Sequence, residues 1–258
     1  MVTAPARLLG ATELIDLPCA DLNLLAHTLE DLAWINRRLG STRLVTNHLA
    51  SLLHRLPPRI RILDVATGYA DVPRAIVGWA RRRGLPIEIE AIDSHGQILE
   101  LARHASQGYP EIHIRQEDAM NLPYPDGSFD VVLASLILHH TDGEAQTRLL
   151  RELHRVARSF VVVNDLRRGR WPFLVTWVSL HLVSRSHVIH HDGPVSVRRG
   201  FLAGELLALA REAGWAQARV SRHAFFRLAL VGEKPREKEP QTPSASAGFP
   251  ANGRNVSP

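Results

Sequence analysis

The chain has 258 residues, 45% of them hydrophobic and 22% charged, which is enough apolar material for one large α/β domain with a buried core. Its net charge of +5 comes almost wholly from scattered arginines, with short clusters at 81–83 and 167–168. Charge spread in this way reads as a solvated face and gives no reason to expect a nucleic-acid partner. A single cysteine, Cys19, excludes an intrachain disulfide and a cysteine-built zinc site. A cytoplasmic location without a signal peptide is expected, because no basic segment followed by a long apolar run stands at the start. The longest apolar stretch, 173–183, is shorter than the roughly 20 residues a spanning helix needs. No transmembrane segment is therefore predicted, while peripheral membrane contact stays open.

Residues 1–57 are predicted to form a helical cap. Leu22, Leu25, Leu29 and Leu32 recur at helical spacing, and a second helix over 42–56 is stopped by Pro57-Pro58. Residues 58–233 alternate strand and helix. Strands are predicted at 59–65, 87–92, 112–115, 129–135 and 159–164. Helices are predicted at 72–83, at 94–106 with Ser94 as N-cap, and at 144–157. This alternation implies a parallel sheet covered by helices on both faces. An apolar insert at about 168–200 carries Trp171, Phe173 and Trp177. A helix over 202–213 is followed by strands at 217–223 and 226–231, too close together for a parallel crossover. The expected fold is thus α/β, with a seven-stranded, mostly parallel sheet ending in an antiparallel hairpin. Residues 234–258, rich in Pro, Ser, Gly and charge, are expected to be a disordered tail.

Four motifs follow the strands in order. The first strand runs into Asp64-Val65-Ala66-Thr67-Gly68-Tyr69-Ala70, whose small residues let a ligand approach the backbone as a helix opens. Asp93 ends the second strand, 25 residues after Gly68, where a carboxylate can accept both hydroxyls of a ribose. Asp118-Ala119 follows the third strand. The fourth strand ends at Ser135-Leu136 and leads to His139-His140. In this series, over about residues 59–233, the chain resembles the class I S-adenosylmethionine-dependent methyltransferases, in the small-molecule branch that includes the ubiquinone/menaquinone C-methyltransferases.

The resemblance implies a Rossmann-like sheet and S-adenosylmethionine (SAM) as cofactor. By that likeness Asp64 lies near the methionine ammonium, and Ala66, Thr67, Gly68 and Ala70 face the methionine and ribose. Asp93 and Ser94 serve the ribose, Asp118 and Ala119 the adenine, and Ser135 and Leu136 the sulfonium side. The family frame Gly-x-Gly-x-Gly reads Ala66, Gly68, Ala70 here. The added methyls are tolerated where φ is negative and unfavourable where it is positive, so affinity turns on the backbone at these two positions.

Methyl transfer from a sulfonium is an in-line displacement, in which the protein aligns the acceptor and excludes water. Six histidines are candidate bases: His139, His140, His181, His187, His190 and His191. His139 and His140 follow the fourth strand and Asp165 ends the fifth, on the ligand-binding edge of such a sheet. These three are the expected catalytic residues. No metal is expected, because His190 and His191 are adjacent and do not share a helical face. The insert at 168–200 either covers an apolar, phenolic, quinone-like or polyketide acceptor or packs as ordinary core. Two other functions fit parts of the pattern. One is an NAD(P)-dependent oxidoreductase, although Asp71 or Val72 stands where its third glycine belongs; the other is a non-catalytic SAM-binding or partner-binding protein. The sequence is silent on oligomeric state.

Overall fold

The computed structural model describes residues 5–234, so all but Lys234 of the predicted tail lies outside them. Two helices, α1 (Leu22–Arg38) and α2 (Ser41–Leu52), precede β1 (Ile60–Val65). Then come α3 (Asp71–Arg81), β2 (Ile87–Asp93), α4 (Gly96–Ala105), β3 (Ile112–Gln116), β4 (Phe129–Ser135), α5 (Glu144–Val156) and β5 (Ala157–Leu166). The insert is a helix pair, α6 (Arg170–Val183) and α7 (His187–Arg199). It is followed by α8 (Ala203–Glu212), β6 (Gln217–His223) and β7 (Arg227–Glu233).

The strands form one sheet in the order β3-β2-β1-β4-β5-β7-β6. The first five are parallel, and β7 lies antiparallel between β5 and β6. The chain builds outward from β1 to β3, then crosses back to place β4 on the other side of β1. That reversal opens a crevice at the carboxyl ends of the strands, the ligand-binding position of open α/β sheets. Period-2 alternation fixes which side each residue faces. Val131 and Leu133 pack with Ile62, Ile76 and Leu49 on one face, while Val132 and Ala134 pack with Leu63, Leu150 and Trp215 on the other. Every residue of β4 except Ser135 is buried, as a strand covered on both faces requires.

Two expectations change. Helix begins only at Leu22; residues 5–21 run as an irregular strap with one 3-10 turn at Leu14–Asp16. Tertiary hydrogen bonds replace helical ones there. Leu8 N–H donates to the Arg198 carbonyl (3.0 Å), Gly10 N–H to Asp142 Oδ2 (3.0 Å), and Leu14 and Ile15 N–H to the Asp192 carboxylate (2.8 and 2.9 Å). The N-cap of α4 is His95 rather than Ser94, because Asp93 Oδ1 accepts from His95 N–H (3.0 Å) and carries the turn one residue further. In the insert, α6 and α7 cross closely at Gly193, where a Cβ would stand 2.0 Å from Leu180 Cδ1. The insert's tryptophans face outward, with Trp171 73% and Trp177 46% exposed. Among the described residues no helix is long and apolar enough to cross a membrane.

The β1–α3 turn decides the question raised by the two alanines. Ala66, Gly68 and Ala70 all have positive φ, at 55°, 53° and 54°. A left-handed conformation costs a non-glycine residue about 1–2 kcal/mol. Ala66→Gly relieves that strain against an unfolded-state entropy loss of about 0.4–1 kcal/mol, so a Tm rise of roughly 1–4 °C is expected. Ala70 is fully buried, and its methyl contributes about 0.8 kcal/mol by burial, so Ala70→Gly should leave Tm almost unchanged. A thermal melt in which Ala66→Gly lowers Tm would contradict this reading of the turn.

Candidate functional site

Loops from the carboxyl ends of β1 to β5 line a cavity of about 590 Å³, covered by the strap, α1, α6 and α7. That volume lies within the roughly 300–1,000 Å³ of small-molecule and cofactor sites. Its floor carries Asp64, Ala66, Thr67, Gly68, Asp93, Ser94, Asp118, Ala119, Ser135 and Leu136, which includes all but one of the predicted cofactor residues. The exception is Ala70, which is sealed in the core as the N-cap of α3.

The Asp93 carboxylate joins two of these loops. Its Oδ2 accepts from Gly68 N–H (2.9 Å) in the first turn, and its Oδ1 accepts from His95 N–H in its own. Each oxygen keeps a second lone pair for a ligand hydroxyl. Asp64 is 2% exposed. Its Oδ2 accepts from Thr67 Oγ1 (2.7 Å), and its Oδ1 has no partner. Burial pushes its carboxyl up to about 7, the Thr67 hydroxyl opposes this, and the nearby charges of Asp71 and Asp93 add to it. An unpartnered buried carboxylate oxygen in a cavity wall can accept a hydrogen bond from a ligand. Asp118 Oδ1 accepts from Met120 N–H (2.8 Å), which holds Ala119 in the wall. Ser135 Oγ is buried without a partner at the end of β4, and Leu136 beside it has φ 60°.

The other end of the cavity is polar in a different way. His139 is 2% exposed, and its Nδ1 lies 2.8 Å from Asp165 Oδ1. Its backbone N–H also donates to Asp165 Oδ2 (3.2 Å), and Arg199 Nε donates to its carbonyl (2.7 Å). Asp165 is fully buried behind His139 and does not itself line the cavity. Burial works against its charge, but the charge and hydrogen bond of His139 more than offset this and hold its carboxyl below the usual range. His140 Nδ1 lies 2.8 Å from Asp16 Oδ2. Burial disfavours its cation, yet the Asp16 hydrogen bond and the charges of Glu13, Asp16 and Asp165 raise its pKa overall. Glu13, 3% exposed, faces both rings, with Oε1 3.6 Å from His139 Nε2 and Oε2 3.7 Å from His140 Nε2.

The remaining candidate histidines do not line this cavity. His181 and His190 stack on each other at 4.1 Å between ring centroids, and His191 Nδ1 lies 2.8 Å from Asp192 Oδ1. Glu13, Asp16, Asp192 and Arg227 line the cavity and were not predicted. The one sequence signal for the first two is a pair of acids set among apolar residues, Glu13-Leu14-Ile15-Asp16. Arg227 Nε and Nη1 are buried without partners, and burial lowers its pKa to about 10 against the opposing charges of Asp165 and Asp71.

Comparison with known proteins bears on the sheet and the loops that follow its first strands. Residues 63–160 match the family model described as a methyltransferase domain. The chain is 32% identical over 101 residues to the demethylmenaquinone methyltransferase of Lysinibacillus sphaericus, covering 39% of this chain and 41% of that one. It is 43% identical over 74 residues to the Deinococcus radiodurans protein of the same name, covering 28% and 29%. The matches thus span well under half the length of these relatives. The structure of a SAM-dependent methyltransferase from Aquifex aeolicus aligns with a TM-score of 0.52 at 16% identity, over 71% of this chain and 88% of that one. Residues 63–160 thus match a methyltransferase domain, and over that part the chain resembles the demethylmenaquinone methyltransferases, within a fold shared with a SAM-dependent methyltransferase.

Proposed function

We propose that the chain transfers a methyl group from SAM to an oxygen or carbon of a small, apolar acceptor bearing an acidic hydroxyl, in the manner of a phenol, quinone precursor or enolised polyketide. The observation that carries this is one continuous cavity with two chemically distinct ends. Asp64, Gly68, Asp93, Asp118 and Ala119 would hold the cofactor, and the orphaned Asp64 Oδ1 matches the methionine ammonium. When bound, SAM supplies an electrophilic methyl on a sulfonium.

The residues around the other end would position and ionise the acceptor. In the neutral His139 ring, Nδ1 carries the proton because its partner is a carboxylate that can only accept. Nε2 then has a free lone pair on the cavity side, able to take a hydrogen bond or proton from an acceptor hydroxyl. Asp165 fixes that tautomer and stabilises the imidazolium that forms. The helices α6 and α7 contribute Thr176, Leu180, Val188 and Ile189 to the wall, an apolar surface suited to an aromatic or aliphatic body. The resemblance of the domain to demethylmenaquinone methyltransferases supports the same acceptor class.

The direct test is transfer of labelled methyl from SAM to a panel of phenols, quinone precursors and polyketides. At least one should be methylated, and His139→Gln should lower kcat by about 10²–10⁴-fold with SAM affinity nearly unchanged. Calorimetric binding of NAD with none of SAM would overturn the reading. Asp93→Ala should weaken SAM binding more than tenfold. It should also lower stability by about 1–3 kcal/mol, because the N–H groups of Gly68 and His95 lose their acceptor.

The raised carboxyl of Asp64 predicts a pH dependence. Its protonated form is favoured in the folded chain, so its contribution to stability is full below the ordinary carboxylate range and is lost as pH rises through about 7. An ammonium partner needs the anion, and Asp71 and Asp93 both oppose ionisation. Binding SAM should therefore release a proton below pH 7, with affinity falling by up to about tenfold per pH unit from 7 to 5.5. Calorimetry in buffers of different ionisation enthalpy measures the proton directly. Asp64→Asn should flatten the profile, and a flat wild-type profile would end the assignment of Asp64 to the ammonium.

A further inference from the structure

The acceptor end of the cavity brings together three side chains whose arrangement a hydrogen-bonding role leaves unexplained. Glu13, His139 and His140 converge with one ligand atom from each within 4.8 Å of the others. Both imidazoles turn Nδ1 away, to Asp165 and to Asp16, each at 2.8 Å. Each Nε2 therefore faces inward, toward the Glu13 carboxylate, at 3.6 and 3.7 Å. These distances are too long for hydrogen bonds. Three groups able to ligate a metal thus converge on one point with no hydrogen bond between the carboxylate and either ring. Glu13 Oε1 has no hydrogen-bond partner although the residue is 3% exposed.

We infer that Glu13, His139 and His140 bind a divalent transition-metal ion, with its open coordination positions turned to the cavity. Two imidazoles and one carboxylate are a donor set used for zinc and for non-haem iron. An ion at about 2.0–2.2 Å from each donor needs donors roughly 3–3.5 Å apart, so a set that lies within 4.8 Å closes on it by up to about 1–2 Å through side-chain rotation. The surroundings fit a ligand set. A carboxylate on the Nδ1 of a metal-binding histidine fixes the tautomer that frees Nε2 for the metal. Both histidines have one, and the carboxylates come from different elements, the end of β5 and the strap.

Glu13 is held as firmly. Ser196 Oγ donates to its Oε2 (2.5 Å), and the Asp192 carboxylate accepts from the N–H groups of Leu14 and Ile15, which fixes the turn that follows it. Although they are adjacent in sequence, His139 and His140, on the 3-10 turn Leu138–His140, bring their rings together, with centroids 4.4 Å apart.

What the ion would do rests on the methyl-transfer reading; whether it binds does not. An acceptor hydroxyl on an open position would lose its proton to solvent, the O–H electron pair staying on oxygen as a metal-bound oxyanion. Activation of the acceptor would then pass from the His139 imidazole to the ion.

The test uses the full chain stripped with a chelator, then titrated with Zn²⁺ by calorimetry and with Co²⁺ by visible absorption. One ion per chain is expected, together with a Co²⁺ ligand-field band. Glu13→Gln, which keeps the shape of the side chain, and His140→Gln should each weaken Zn²⁺ binding at least tenfold and alter the band. His190→Gln, outside the cluster, should change neither. Circular dichroism melts confirm that each variant is folded. Absence of stoichiometric uptake, or uptake unaffected by both cluster variants, overturns the proposal. SAM titrated into the same stripped protein separates the two readings. SAM binding without metal uptake removes the ion and leaves the methyltransferase, and metal uptake without SAM binding does the reverse.

Discussion

The Asp93 carboxylate is the constraint on which the floor of the cavity depends. One oxygen holds the Gly68 N–H of the first crossover turn and the other holds His95 N–H at the start of α4. This cross-link fixes the distance between the loops after β1 and β2, and so the width of the cavity floor between Gly68 and Ser94. It also explains how a turn with three consecutive alternate residues at positive φ persists. Thr67 N–H donates to the Ile92 carbonyl (2.8 Å) and Ala70 N–H to the Thr67 carbonyl (2.9 Å). Together with the Asp93 bond to Gly68, these leave the turn little freedom to relax. Strain of this size survives only where the surroundings over-determine the backbone.

The end of the cavity around His139 and His140 is held by a different logic. Nothing local fixes it; it is assembled from a strap, a 3-10 turn after β4, the end of β5 and the helix α7. Charged groups are buried there in alternation. Asp165 sits behind His139, Glu13 in front of both histidines, and Arg199 and Arg7 on the His139 carbonyl. Burial of so many ionisable groups is unfavourable unless each has a partner. Most have one. The orphaned atoms, Glu13 Oε1 and Arg227 Nε and Nη1, belong to residues that line the cavity. In a native site such atoms mark where a ligand completes the set.

The sheet and the loops that line the cavity floor were legible in the sequence because their signals are local. The unbroken apolar run 129–135 and the strand at 217–223 match the structure to the residue, and the small residues of 66–70 and the acids at 93 and 118 stand at or just after strand ends. The strap was misread as helix because its stability comes from contacts with residues 142, 192 and 198, and no window of the sequence contains both partners. For the same reason Glu13 and Asp16 went unseen: Asp16 meets His140 across 124 residues. The tryptophans of the insert were read as wall or core, but hydrophobicity without periodicity does not say which face of a helix turns inward. On α6 it is Thr176 and Leu180 that line the cavity, while Trp171 and Leu182 face out.

The division of the cavity between local and long-range construction has a consequence for how this architecture diversifies. Residues 64–136 line the cavity from loops that the sheet itself holds in place. Most of the remaining wall draws on residues 13–41 and 176–197, which lie outside the sheet. Substitutions in those two segments can reshape the cavity while the sheet and its own loops stay as they are. One scaffold can thus serve a succession of ligands, with novelty confined to its covering segments.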